Sequence, residues 1–137
     1  MYMIRHHIRN HGYRVFMSQM KLKIESINRF YYPDVIVTCD ERDKGLLNYK
    51  KFPCLIIEIL SDSTEAFDRG DKFKDYQNIE TLQEYVLIDV KKPQVDCFRR
   101  NEQGLWVLQS YKESYFELQS INFQGTMNDL YEDVSFL

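Results

Sequence analysis

The chain has 137 residues, 44% hydrophobic and 28% charged, the balance of one folded domain, 1–137, long enough to bury a core. A formal net charge of -3 excludes a protein whose main task is to coat nucleic acid through a basic surface, but not a metal-dependent nuclease, whose acids are offset locally by the cation. No apolar run is long enough to span a membrane and the first residues lack the apolar stretch of a secretory signal, so a cytoplasmic protein without a membrane partner is expected.

Ile4 and Ile8 share one helical face within residues 1–11, and Gly12 stops that helix. Residues 15–16 and 20–24 read as strands; in the second, Lys21 and Lys23 face one way and Met20, Leu22 and Ile24 the other. After a loop at 25–30, Pro33 and Asp34 lead into the β-branched strand 35–39, and a polar loop, 40–52, leads to the apolar strand 54–60. Asp62 and Glu65 are spaced as a capping pair for a helix over 63–78. Residues 85–90 form a further strand, and 95–99 with 106–111 a C-terminal hairpin about 101–104; the tail, 116–137, is ambiguous. No internal repeat or linker is evident. A helix between two apolar strands predicts a right-handed crossover in a mixed β-sheet flanked by helices, an α/β (α+β) architecture.

Glu58 stands inside Leu55-Ile56-Ile57-Glu58-Ile59-Leu60, a strand apolar enough to be buried on both faces. Asp34 opens one strand and Glu58 lies late in the next, so as neighbours they would bring two carboxylates together near one end of the sheet. Mg2+ prefers oxygen ligands, keeps several waters and is commonly held by one or two carboxylates; the Ile59 carbonyl would add a third protein ligand. On the following helix Asp68, Lys72 and Tyr76 are spaced i, i+4, i+8 and share a face, from which Lys72 would position water or stabilise charge on a phosphate. Spacing alone leaves two readings open: this metal site, or an ion-paired core carboxylate beside an ordinary surface helix pair.

Other features read as structural. Cys39, Cys54 and Cys97 are odd in number and set among apolar residues, as reduced core thiols are. His7 and His11 are four apart but have no third ligand in sequence. Ser61 and Ser63 suit a helix cap, and the pairs Lys50-Lys51 and Arg99-Arg100 suit a solvated surface or the flank of a nucleic-acid channel.

Tyr31-Tyr32-Pro33-Asp34-Val35, then Ile57 through Thr64, then Asp68, Lys72 and Tyr76, then Glu84 through Asp89, resemble in order the signatures of the Uma family of restriction endonucleases, placed in the PD-(D/E)XK nuclease superfamily. The resemblance runs from about Tyr31 to Arg99 and implies a restriction-endonuclease-like core with metal-dependent phosphodiester hydrolysis. It assigns Asp34 and Glu58 to the two acidic elements. Leu60 falls where the superfamily pattern has its lysine, and Lys72 occupies the place of relatives whose lysine has moved onto the following helix. Asp68 and Tyr76 match family positions without an assigned role. Family members carry an upstream segment with a Glu-Leu-Ile-Asp-Gly-like stretch before the region that begins here at His6, so the chain is expected to lack the family's N-terminal segment.

Two functions follow as expectations. The first is an Mg2+ (or Mn2+)-dependent DNA endonuclease with catalytic Asp34, Glu58 and Lys72, metal ligands Asp34, Glu58 and the carbonyl of Ile59, and support from Asp68 and Tyr76; two-strand cutting suggests a homodimer. The second is a nuclease-derived binding or assembly module without catalysis, which would meet a protein partner through the aromatic surface around Tyr111, Tyr115 and Phe116.

Overall fold

The β-branched run after Pro33 and the apolar run around Glu58 become adjacent strands at the centre of the molecule. In the computed structural model, which describes residues 2–9 and 11–134, the elements in chain order are α1 (Tyr2–Arg9), β1 (Arg14–Met17), β2 (Lys21–Ile24), β3 (Arg29–Tyr31), β4 (Val35–Thr38), α2 (Glu41–Lys44), β5 (Tyr49–Lys50), β6 (Leu55–Ile59), α3 (Glu65–Arg69), α4 (Asp71–Tyr76), β7 (Glu84–Asp89), β8 (Gln94–Arg100), β9 (Trp106–Tyr111), β10 (Tyr115–Leu118), β11 (Phe123–Thr126) and α5 (Met127–Val134). A six-stranded sheet has the order β1-β4-β6-β7-β8-β9. Every neighbouring pair is antiparallel except β6 with β7, which run parallel because α3 and α4 carry the chain back between them. This is the expected mixed sheet flanked by helices.

Strand alternation divides the core in two. Val35, Val37, Leu55 and Ile57 point to one face, covered by Ile4 and Ile8 of α1 and by Phe116 and Leu130 near the C-terminus. Ile36, Ile56 and Leu87 point to the other, covered by Phe73 and Tyr76 of α4 and by Leu22 and Ile24 of β2. Burial on both sides explains why β4 and β6 read as unbroken apolar runs. Glu58 belongs to the second face.

Several expectations need correction. The helix over 63–78 is two helices bent at Gly70, where an added Cβ would lie 3.0 Å from the Ala66 carbonyl oxygen. The Asp62/Glu65 capping pair does not form: Thr64 precedes α3 without a side-chain cap, Asp62 pairs with Lys91 and Glu65 with Arg69. Ser61 bonds Thr64 rather than capping the helix. The loop at 25–30 holds a 3-10 turn and β3, and the loop at 40–52 holds α2, capped by Asp40 through its acceptance of the Arg42 N–H, and β5.

The tail forms β10, a 3-10 turn, β11 and α5, while the part of it beyond 134 lies outside the described residues. Its turn matches one near the other end of the chain: Glu25-Ser26-Ile27-Asn28 and Gln119-Ser120-Ile121-Asn122 each make a 3-10 turn between antiparallel strands, ended by a left-handed asparagine with φ 49° and 56°. Asparagine accepts that conformation more readily than other side chains, so the two hairpins use one local solution.

Of the cysteines, Cys97 is buried, Cys54 half-buried and Cys39 exposed. The basic pairs are not solvated patches throughout. Lys50 is buried and donates to the carbonyls of Asp43 and Leu46, while Arg99 pairs with Glu84 and Arg100 donates to the Ile79 carbonyl beneath Trp106. Tyr111 and Phe116 are buried and only Tyr115 of that trio is exposed, which removes the proposed aromatic surface. No described helix is long and apolar enough to cross a membrane.

Candidate active site

The β4–β6 register pairs Val35 with Ile57. One residue further along, where the ladder ends, it sets Asp34 opposite Glu58 on the face shared with Ile36 and Ile56, because directly opposed residues point the same way. Side chains continue the pairing there. The Asp34 N–H donates to Glu58 Oε1 at 3.0 Å, and the Ile59 N–H donates to Asp34 Oδ2 at 2.7 Å. A strand residue's C=O leaves on the same edge as its N–H, so the Ile59 carbonyl is directed to the Asp34 side.

The helices close over this end. Lys72 Nζ lies 3.1 Å from Glu58 Oε2 and 2.7 Å from Asp68 Oδ1; the latter is an ion contact without the angular geometry of a hydrogen bond. Tyr76 donates its hydroxyl to Glu58 Oε2 at 3.1 Å, and Tyr85 holds α3 by donating to the Asp68 carbonyl at 2.8 Å. Glu58 is 3% exposed and Asp68 2%. The structure therefore brings together all the residues singled out in sequence: Asp34, Glu58, Ile59, Asp68, Lys72 and Tyr76. Leu60 is buried in the apolar layer beside them.

Burial dominates the electrostatics. It pushes the Glu58 carboxyl up to about 7, against the lowering effect of Lys72 and the Asp34 N–H. Burial also opposes the charge on Lys72, but contact with Asp68 and Glu58 more than offsets it, and the amine is raised above its ordinary range. Lys72 is thus an ammonium at neutral pH, a donor and not a base. Tyr76 is likewise raised by burial and stays a neutral hydroxyl.

Sequence reasoning missed the support behind α3. Arg69 reaches Asp96 Oδ2 at 2.8 Å and Glu65 at 2.9 Å, and Ser110 donates to Asp96 Oδ1 at 2.6 Å. That network ties the residue next to Asp68 to β8 and β9. The signal was available, since Asp96 is an acid within a buried strand just as Glu58 is. His7 and His11 form no such site: their rings stack, and they bond the carbonyls of Ile121 and His7. Among the described residues no group of three His, Cys, Asp or Glu side chains is arranged to hold a metal ion.

Comparison with known proteins adds the following. The sequence model of a family described as "Uma2: Putative restriction endonuclease" matches residues 1–127. Two proteins of Synechocystis sp. are similar: "Uncharacterized protein slr1290", 37% identical over 120 residues, covering 87% of this chain and 63% of that protein, and "Uncharacterized protein sll1609", 36% identical over 99 residues, covering 70% and 55%. The chain thus spans less than two thirds of either relative's length. A crystal structure described as a putative nuclease belonging to DUF820, from Anabaena variabilis, superimposes with a TM-score of 0.77 at 17% identity, over 96% of this chain and 75% of that one. At that identity the likeness is one of fold.

Proposed function

The chain belongs to the Uma2 family of restriction-endonuclease-like proteins, and from that premise we propose that it hydrolyses DNA phosphodiester bonds with a divalent cation, Mg2+ or Mn2+, at Asp34 and Glu58. One observation carries this reading: Glu58 and Asp68 share a single ammonium, Lys72, at the end of the sheet, and the Asp34 carboxylate, held by the Ile59 N–H, lies opposite Glu58 with no side-chain cation of its own among the described residues. Positive charge is in deficit where a buried acid most needs it.

The donor set suits a hard, partly hydrated cation. Two carboxylates with the Ile59 carbonyl are all oxygen, the donor type Mg2+ prefers while keeping several of its waters. Bound there, the ion would lower the pKa of a water and offset charge on the scissile phosphate. Asp34 and Glu58 hold each other through backbone N–H groups, so their oxygens are fixed before any ligand arrives. Lys72, kept charged by its two acids, donates toward a phosphate oxygen or holds a water in line. Tyr76 fixes the orientation of Glu58 by bonding the oxygen that Lys72 also contacts. A two-fold dimer, one site for each strand, belongs to the same proposal.

Calorimetric titration of Mg2+ and Mn2+, with nicking of supercoiled plasmid on the same samples, tests it. Wild type should bind the ion and nick; Glu58→Ala should lose both, and Lys72→Ala should keep a folded structure and lose nicking. Nicking that survives in both variants rejects these roles. A wild type that neither binds nor nicks supports the second reading, a nuclease-derived module acting through a partner.

A further inference from the structure

Between β3 with its preceding turn and α3 and α4 lies an open cleft of about 840 Å3 whose walls include Phe30, Tyr31, Phe67, Asp71, Lys74 and Asp75. Sites that take a small organic group have volumes of roughly 300–1,000 Å3. The rings are open to solvent: Phe30 is 48% exposed and Phe67 44%.

The cleft shares a wall with the carboxylate site. The Phe67 ring lies 5.3 Å from Lys72 Nζ and 6.2 Å from the ring of Tyr31, which in turn contacts the ring of Tyr76 at 5.3 Å. Lys72 and Tyr76 are the two side chains that bond Glu58 Oε2.

Its polar groups divide into two kinds. Asp75 is already satisfied, by Arg29 at 2.7 Å and by the Tyr31 hydroxyl. Asp71 and Lys74, three apart on α4, make no side-chain hydrogen bond or ion pair among the described residues. Lys21 and Lys23 place their ammonium groups 4.9 and 5.6 Å from the Phe30 ring centroid, and Lys23 also pairs with Glu25 at 3.2 Å, which leaves Lys21 as the cation there without an acid partner among the described residues.

Exposed rings beside a cationic track are the means by which proteins hold single-stranded nucleic acid: bases stack on the rings and phosphates meet the lysines. A carboxylate and an ammonium one helical turn apart complement the amino and carbonyl groups on a base edge. In a duplex that edge is taken up by the pairing partner.

We propose that this cleft is a subsite for an unpaired nucleobase of the strand engaged at Asp34 and Glu58, with Phe30 and Phe67 as its stacking surfaces; the proposal rests on the nuclease reading for the identity of the strand. It makes the protein select single-stranded stretches, or bases displaced from a duplex, next to the bond it cuts.

The probe is a short single-stranded DNA carrying 2-aminopurine at one position at a time. It is titrated in Ca2+ buffer with wild type, Phe30→Ala and Phe67→Ala, beside the same strand annealed to its complement, with circular dichroism confirming that the variants fold. Because Phe67 touches Lys72, the Phe30 variant on the hairpin is the cleaner of the two.

The expected result is emission quenched about twofold or more at one position of the single strand, and affinity falling about tenfold in each variant. Unchanged quenching in Phe30→Ala and Phe67→Ala overturns the proposal. So does the absence of quenching at every position once anisotropy shows the strand bound, or the absence of binding. Plasmid nicking in Mg2+ reads the chemistry separately. Nicking without quenching rejects the subsite and keeps the nuclease, whereas quenching without nicking keeps the subsite and rejects the chemistry.

Discussion

At Glu58, burial and charge pull against each other. The carboxyl is 3% exposed, and burial raises it to about 7 from an ordinary value of 4.5. The unfolded chain therefore releases this proton at lower pH than the folded protein does. The contribution of Glu58 to stability is complete below about pH 4.5 and is lost as pH rises through about 7, an effect on the order of 3 kcal/mol. In EDTA, wild type should lose stability between pH 5 and 8 relative to Glu58→Gln, which has no proton to lose there. Urea denaturation at several pH values checks this, and parallel curves for the two proteins would show that burial does not govern the group. Asp34 was readable beside Glu58 because it opens one apolar strand while Glu58 interrupts the next; the bond from Ile59 N–H to Asp34 was not, because it depends on register.

Among the elements, the bend at Gly70 decides where Lys72 points. A continuous helix through 63–78 carries Asp68, Lys72 and Tyr76 on one face, and the bent pair keeps them together while α3 is drawn toward β8 by Arg69 and Asp96. Replacing glycine by alanine within a regular helix stabilises it by roughly 0.5–1 kcal/mol. At Gly70 the opposite sign is expected, since the added Cβ meets the Ala66 carbonyl oxygen at 3.0 Å and the bend must open; the cost is about 1–3 kcal/mol. Gly70→Ala should melt at lower temperature and nick plasmid more slowly than its folded fraction accounts for. A rise in melting temperature would show that the bend is not required. The bend escaped the sequence reading because one glycine in a helical pattern marks a tolerated defect as often as a break.

Across the whole molecule, the sheet's two faces separate stability from the site. On the face away from Glu58, Glu84 accepts from Arg99 Nε at 2.8 Å, from Gln119 N–H at 3.0 Å and from Ser120 N–H at 2.6 Å, while Arg99 donates to the Glu117 carbonyl at 2.6 Å. This carboxylate pins the β10–β11 hairpin to the central strands. Glu84→Ala strands a mostly buried guanidinium and should cost about 3–5 kcal/mol of unfolding free energy. Mg2+ affinity of the molecules that remain folded should not change. A matched loss of affinity at full folding would mean the two faces are coupled.

By itself, the order of residues determined the strands of the six-stranded sheet, which faces β2 and β6 bury, and which acids stand at or within the central strands, because alternation and helical spacing are properties of one segment at a time; it did not find β3, β5, β10 or β11. Asp34, Glu58, Asp68, Lys72 and Tyr76 were all legible on that basis together with the family resemblance. The tertiary structure alone decided what those segments meet: that Lys50 is buried among carbonyls and Arg99 half-buried against a carboxylate instead of solvated, that Tyr111 and Phe116 turn inward, and that Arg69 anchors α3. It also decided that an open cleft lies between β3 with its preceding turn and α3 and α4. Each of these depends on strand register and on contacts between residues far apart in the chain, and periodicity within a segment carries no record of either.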